Sequence, residues 1–62
     1  MWVIKNDKGE YYESARIWFE KGNDIFFTID PNKACKFKTE EGAKRVIKNL
    51  KLKGFHIEEI KN

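Results

Sequence analysis

The spacing of apolar residues changes along this chain, and that change limits the fold more than any other feature. Up to residue 37 the apolar residues fall in short β-branched and aromatic runs broken by turn formers. From Ala43 they recur at helical spacing, as Ala43, Val46, Ile47 and Leu50, and from Phe55 they alternate again. Trp2-Val3-Ile4-Lys5 reads as a strand, and Asn6-Asp7-Lys8-Gly9 as a four-residue hairpin loop. A return strand follows from Glu10. Between residues 11 and 19 the odd positions (Tyr11, Glu13, Ala15, Ile17, Phe19) turn apolar toward the end, while the even ones are Tyr12, Ser14, Arg16 and Trp18. This suits a half-buried strand, bent or bulged near Ser14-Ala15. Lys21-Gly22-Asn23-Asp24 supplies a second turn. Ile25-Phe26-Phe27-Thr28-Ile29 makes a third strand with Ile25, Phe27 and Ile29 on one face, and Asp30-Pro31-Asn32-Lys33 ends it, since proline cannot donate to a ladder.

Thr39 is a good helix N-cap, and Glu40 and Glu41 place negative charge against the positive helix end, so a helix is expected to begin at residue 40. Its apolar residues lie within an arc of about 100°, the width of a core-facing stripe. Late lysines and Gly54, a suitable left-handed C-cap, put its end near residue 52 or 53. Phe55-His56-Ile57-Glu58-Glu59-Ile60 closes the chain as a strand, with Phe55 and Ile57 on one side. The expectation is a single α+β domain over residues 1–62. It has two layers, an antiparallel sheet of three to four strands with one helix packed on one face, in the order β-β-β-α-β.

Several classes fall away. No uninterrupted apolar run exceeds four residues, whereas a spanning helix needs roughly 20 and a signal peptide about 7 to 15. Neither membrane insertion nor export is expected. The one cysteine, Cys35, cannot form an internal disulfide, and small extracellular domains usually depend on such bridges, so the expected location is the cytoplasm. Stability must then come from nine aromatics and the aliphatic residues.

Catalytic chemistry finds little footing. A metal site needs three or four converging ligands, and one His and one Cys in no ligand spacing do not supply them. Neither carboxylate pair, Glu40/Glu41 or Glu58/Glu59, can share a proton, because helix neighbours diverge by about 100° and strand neighbours point to opposite faces. Ser14 or Cys35 could meet His56 only across the sheet, and no nucleophile elbow or glycine-rich phosphate loop accompanies them. No enzyme, cofactor or metal is expected.

Two features carry functional content. Residues 36–53 hold seven basic side chains against two acidic ones, whereas the rest of the chain is net acidic. Lys44, Arg45, Lys48 and Lys51 form a stripe beside the buried helix face that could contact phosphates of a nucleic acid. The aromatics, in contrast, sit on strands. Alternation puts Tyr12, Trp18 and Phe26 on the helix-free face if Phe19 and Phe27 face the core, with Arg16 on the same parity as Tyr12 and Trp18. Aromatic and arginine side chains on an open face suit a protein partner or a homodimer.

The strings Trp2-Val3-Ile4-Lys5, Gly9-Glu10-Tyr11-Tyr12 and Ile17-Trp18-Phe19, followed by the helix opening at residues 34–43, resemble small uncharacterised proteins of Gram-positive phages and prophages. Those share a short hairpin sheet and a helix start of the form Ala, two residues, Phe, then Thr/Ser-x-Glu-x-Ala. Ala34, Phe37, Thr39, Glu41 and Ala43 match that start, and Gly42 departs from it. The resemblance implies an accessory protein acting in the host cytoplasm by binding, with no catalytic residue to carry over. The expectation is therefore a protein-binding or self-associating module using Tyr12, Arg16, Trp18 and Phe26. The alternative is a nucleic-acid-binding protein using Lys44, Arg45, Lys48 and Lys51.

Overall fold

The computed structural model describes every residue except Phe19, Lys21 and Asn62. It is a small α+β domain of four strands and one helix: β1 (Trp2–Asn6), β2 (Tyr11–Trp18), β3 (Gly22–Thr28), α1 (Glu40–Leu50) and β4 (Phe55–Glu59). All pairings are antiparallel, in the sheet order β3-β2-β1-β4.

The first hairpin is tighter than its sequence suggests. Asn6 belongs to β1, and its amide N–H donates to the Glu10 carbonyl at 2.9 Å while the Gly9 N–H returns to the Asn6 carbonyl. Gly9, at φ 83°, takes the left-handed position that closes a three-residue loop. The Asn6 carboxamide stitches the turn, accepting from the Lys8 and Glu10 amides and donating to the Glu10 carboxylate.

Beyond this hairpin β1 and β2 part company. Lys5 pairs with Tyr11, and the segment 34–37 then enters between the two strands. The Cys35 N–H donates to the Tyr12 carbonyl at 3.0 Å, and Trp2 and Phe37 exchange two main-chain bonds of 2.8 Å. The loop before this wedge is held by the Lys36 ammonium, which donates to the carbonyls of Pro31, Asn32 and Ala34. In β2 the register against β3 shifts between Tyr12 and Ser14, leaving Glu13 as the extra residue of a bulge, a feature that bends a strand and increases its twist.

The helix begins where the sequence indicates. The Thr39 hydroxyl accepts from the Gly42 amide at 3.1 Å, and a Cβ at Gly42 would stand 3.2 Å from that oxygen. A side chain there would crowd the cap oxygen, so the Thr39 hydroxyl would have to shift by a few tenths of an ångström. The helix end differs from expectation. It stops at Leu50, and the left-handed residue that caps it is Lys51 (φ 53°, ψ 47°); Gly54, also at positive φ (78°), lies in the turn that follows. The Lys51 N–H reaches the Lys48 carbonyl, and the Leu52 N–H reaches the Ile47 carbonyl at 3.0 Å, the double closure of a Schellman motif. The early stop turns Leu52 into the core.

That core is small. Ile4, Tyr12, Ala43 and Leu52 form its buried centre, ringed by Trp2, Phe37, Val46, Ile47, Leu50, Phe55 and Ile57. The helix packs on β1 and β4. β2 contributes one buried residue, Tyr12, and β3 contributes none. The β2–β3 hairpin therefore extends away from the helix as an arm, and the molecule is elongated, 38 × 23 × 18 Å.

Candidate protein-binding surface

Cross-strand register assigns the faces of the arm. Tyr12 pairs with Phe27, Ala15 with Ile25 and Ile17 with Asn23 on the helix side, while Ser14 pairs with Phe26, Arg16 with Asp24 and Trp18 with Gly22 on the other. The bulge at Glu13 breaks simple alternation between Tyr12 and Ser14. Of the four residues expected on the helix-free face, Arg16, Trp18 and Phe26 therefore lie there together, and Tyr12 does not. It is buried in the core, its ring stacked on Phe37 at 6.2 Å. The expected core position of Phe19 lies outside the described residues. Phe27 does point to the helix side and stacks on Phe55 at 5.2 Å, yet it stays 42% exposed because the helix does not reach it.

The cluster has internal order. Trp18 Nε1–H donates to Asp24 Oδ2 at 2.7 Å, and the Arg16 guanidinium lies over the Trp18 ring, 5.6 Å from its centroid. A tryptophan fixed from both sides presents its remaining face with little conformational freedom left to lose on binding. The sequence places Asp24 in a turn with Lys21, Gly22 and Asn23, whereas Gly22, Asn23 and Asp24 belong to β3, and only the pairing of Trp18 with Gly22 sets Asp24 opposite Arg16. Among the described residues, every exposed large hydrophobic other than Met1 lies on this arm or just beyond it: Ile17, Trp18, Phe26, Phe27 and Ile29. An open cleft of about 220 Å³ separates the arm from the helix, lined by Tyr12, Ala15, Ile17, Val46, Asn49 and Leu50.

The basic helix surface is organised differently. Lys44, Arg45, Lys48 and Lys51 are all exposed. The first three line a shallow depression of about 440 Å³ with Glu41 and Asn49, no aromatic among them. Lys44 pairs with Glu40 at 3.1 Å, so both acids of the first turn temper the positive field.

The nucleophile candidates are not assembled. Cys35 packs against the core, and His56 projects from the opposite face of β4, paired with Lys5 across the ladder and 3.8 Å from Glu58. Ser14 sits on β2, which β1 separates from β4. Burial pushes the Cys35 thiol up, against a smaller opposing pull from the Lys36 ammonium, and burial likewise raises Tyr12. A thiol held protonated is a poor nucleophile. Among the described residues no group of three His, Cys, Asp or Glu is placed to hold a metal ion, and no helix is long and apolar enough to cross a membrane.

Compared with family models, characterised proteins and solved structures, the chain finds no match.

Proposed function

We propose that this chain is a non-enzymatic protein-binding module and that the β2–β3 arm is its contact surface, with Trp18 and Phe26 as apolar anchors and Arg16 beside them. One observation carries the reading: the large exposed hydrophobics are concentrated on one projecting hairpin instead of being scattered. Scattered single apolar residues are ordinary on any surface, whereas several gathered on one hairpin outside the cover of the helix point to an interaction site. Tryptophan and arginine are also the residues that most often dominate interface energetics. An accessory role in a bacterial or phage setting is compatible with such a module. The basic helix face is the weaker candidate, because Glu40 and Glu41 interrupt it and none of the described residues lining it is an aromatic that could stack on a base.

Affinity capture with the wild type, Trp18→Ala and the double variant Lys44→Glu/Lys48→Glu tests the reading, each variant first checked for fold by circular dichroism. The expected result is a protein retained by the wild type and the helix variant and lost with Trp18→Ala. If Trp18→Ala and Phe26→Ala retain everything the wild type retains, the arm is not the contact surface. Binding to mixed-sequence DNA or RNA that weakens steeply with salt, and disappears in the helix variant, favours the basic face instead.

A further inference from the structure

The two edges of the sheet are treated differently by the sequence. β4 carries Glu58 and Glu59, and like charges on an edge oppose pairing with a further strand. β3 is seven residues long and contains no lysine, no proline and one charged residue, Asp24. Its outer side pairs with no other strand among the described residues. The Glu13 bulge is on β2, so β3 itself keeps a regular ladder edge. Natural monomers blunt such an edge with the very features β3 lacks.

The pattern of β3 is also symmetric about one residue. Outward from Phe26 come Ile25 and Phe27, then Asp24 and Thr28. We infer that the occupant of this edge is a second copy of the chain, added antiparallel about a two-fold axis at Phe26; the inference rests on the arm being the contact surface and names its partner. In that register Phe26 meets Phe26 of the other copy, and Ile25 meets Phe27 twice on the opposite face. Aromatic–aromatic and aromatic–β-branched pairs of this kind are the favourable cross-strand pairs of a sheet. At each end Asp24 faces Thr28. Asp24 uses Oδ2 for Trp18, and Thr28 Oγ1 accepts from the Asp30 amide, so the threonine hydroxyl hydrogen and Asp24 Oδ1 are matched as donor and acceptor. No like charges stand opposite one another. The two-fold contact consumes both β3 edges and closes at a dimer, with one continuous eight-stranded sheet ending in the acidic β4 edges.

Sedimentation velocity from about 1 μM to about 1 mM, the range over which a marginal interface dissociates, gives the first test. The wild type and Glu58→Lys are expected to pass from monomer to dimer. Phe26→Lys is expected to weaken the dimer by about 100-fold or more, since two aromatics leave an apolar pair and two ammonium groups meet across the axis. Phe26 is 46% exposed, so this variant keeps the monomer fold, checked by circular dichroism. Register is tested with single cysteines in a Cys35→Ala background at high protein concentration, using glutathione disulfide as oxidant. The two thiols lose their protons, a disulfide forms between copies, and the electron pair reduces the oxidant to two glutathiones. Phe26→Cys is expected to link the dimer, whereas Asn23→Cys, about 20 Å from its counterpart at the strand rise, is not. A wild type monomeric throughout, a dimer that persists in Phe26→Lys, or linkage through residue 23 as fast as through residue 26 overturns the second-copy assignment. A monomeric wild type leaves the arm standing as a surface for another protein, which the Trp18→Ala capture decides independently.

Discussion

Lys51 holds the left-handed conformation that ends the helix, and its replacement by glycine is expected to stabilise the protein. A β-carbon in that region costs roughly 1–2 kcal/mol through its clash with the following carbonyl. Glycine avoids the clash but loses more backbone freedom on folding, roughly 0.5–1 kcal/mol. It also removes a positive charge near the negative helix end, worth a few tenths of a kcal/mol at an exposed site. Lys51 is exposed, and no side-chain hydrogen bond or ion pair involves it among the described residues, so no other loss enters. The central values leave a net gain of about 0.5 kcal/mol, which for a domain of this size raises Tm by about 2–4 °C. Far-UV circular dichroism followed through thermal and urea unfolding reads it, with Lys51→Asn intermediate and Lys51→Val below the wild type. Gly54→Ala is the converse: at φ 78°, with no atom within 4 Å of the added Cβ, its cost is backbone alone and is expected near 1 kcal/mol. A neutral or destabilising Lys51→Gly at unchanged urea m-value, or a neutral Gly54→Ala, refutes the argument that left-handed geometry governs this end of the helix.

Two further outcomes follow from the core and the bulge. Because burial raises the Cys35 thiol, the folded state keeps its proton to higher pH than the unfolded chain does. Its contribution is complete below the unfolded thiol range, about pH 8.5, and is lost as pH rises through that range toward the raised folded value. Urea midpoints should therefore decline above that pH, and the slope of the decline should flatten in Cys35→Ala, whatever that variant does to the absolute midpoint; an unchanged slope removes Cys35 as its source. Deleting Glu13 restores strict alternation to β2, which forces either Tyr12 out of the core or Arg16 and Trp18 to the helix side. The expected cost is more than about 2 kcal/mol, as for other losses of a buried aromatic, and a deletion variant with wild-type stability and unchanged Trp18 fluorescence contradicts the register described above.

Local signals were legible where a residue's own backbone preference decided the outcome. Thr39 with Glu40 and Glu41 marked the helix start to the residue, because the hydroxyl cap satisfies a donor three residues on and the two first-turn acids complement the positive helix end. The helix end was not legible, because it was decided by burial. Gly54 was the better left-handed residue on propensity, but a helix continued to it would keep Leu52 on the helix surface, and the Schellman turn at Lys51 sends Leu52 inward to 8% exposure. The faces of β2 failed for a similar reason. Alternation alone puts Tyr12 with Trp18, and one unpaired residue at Glu13 reverses that relation for everything upstream. Arg16, Trp18 and Phe26 stayed together because all their pairings lie on the same side of the bulge. Neither the wedge at 34–37 nor the Lys36 clamp on three carbonyls has a sequence signature, since both depend on where β1 and β2 separate.

The bareness of the arm has a geometric cause. An α-helix with its side chains is about 10 Å across, and neighbouring strands lie about 4.8 Å apart, so one helix covers roughly two strands. In this sheet those are β1 and β4. The 11-residue helix is about 16 Å long at 1.5 Å per residue, too short to reach across the bend that the bulge and the wedge introduce. β2 and β3 therefore lie largely outside its cover, and the described chain offers no second helix to supply it. A sequence selected to remain a solvated monomer has a simple remedy, polar residues on both faces of the uncovered hairpin. This chain instead places Ile17 and Phe27 on one face and Trp18 and Phe26 on the other, while it guards the β4 edge with adjacent glutamates. The same sequence thus protects one edge and leaves the other apolar, unblocked and symmetric about Phe26, which is the distribution expected of a surface that is covered when the protein works.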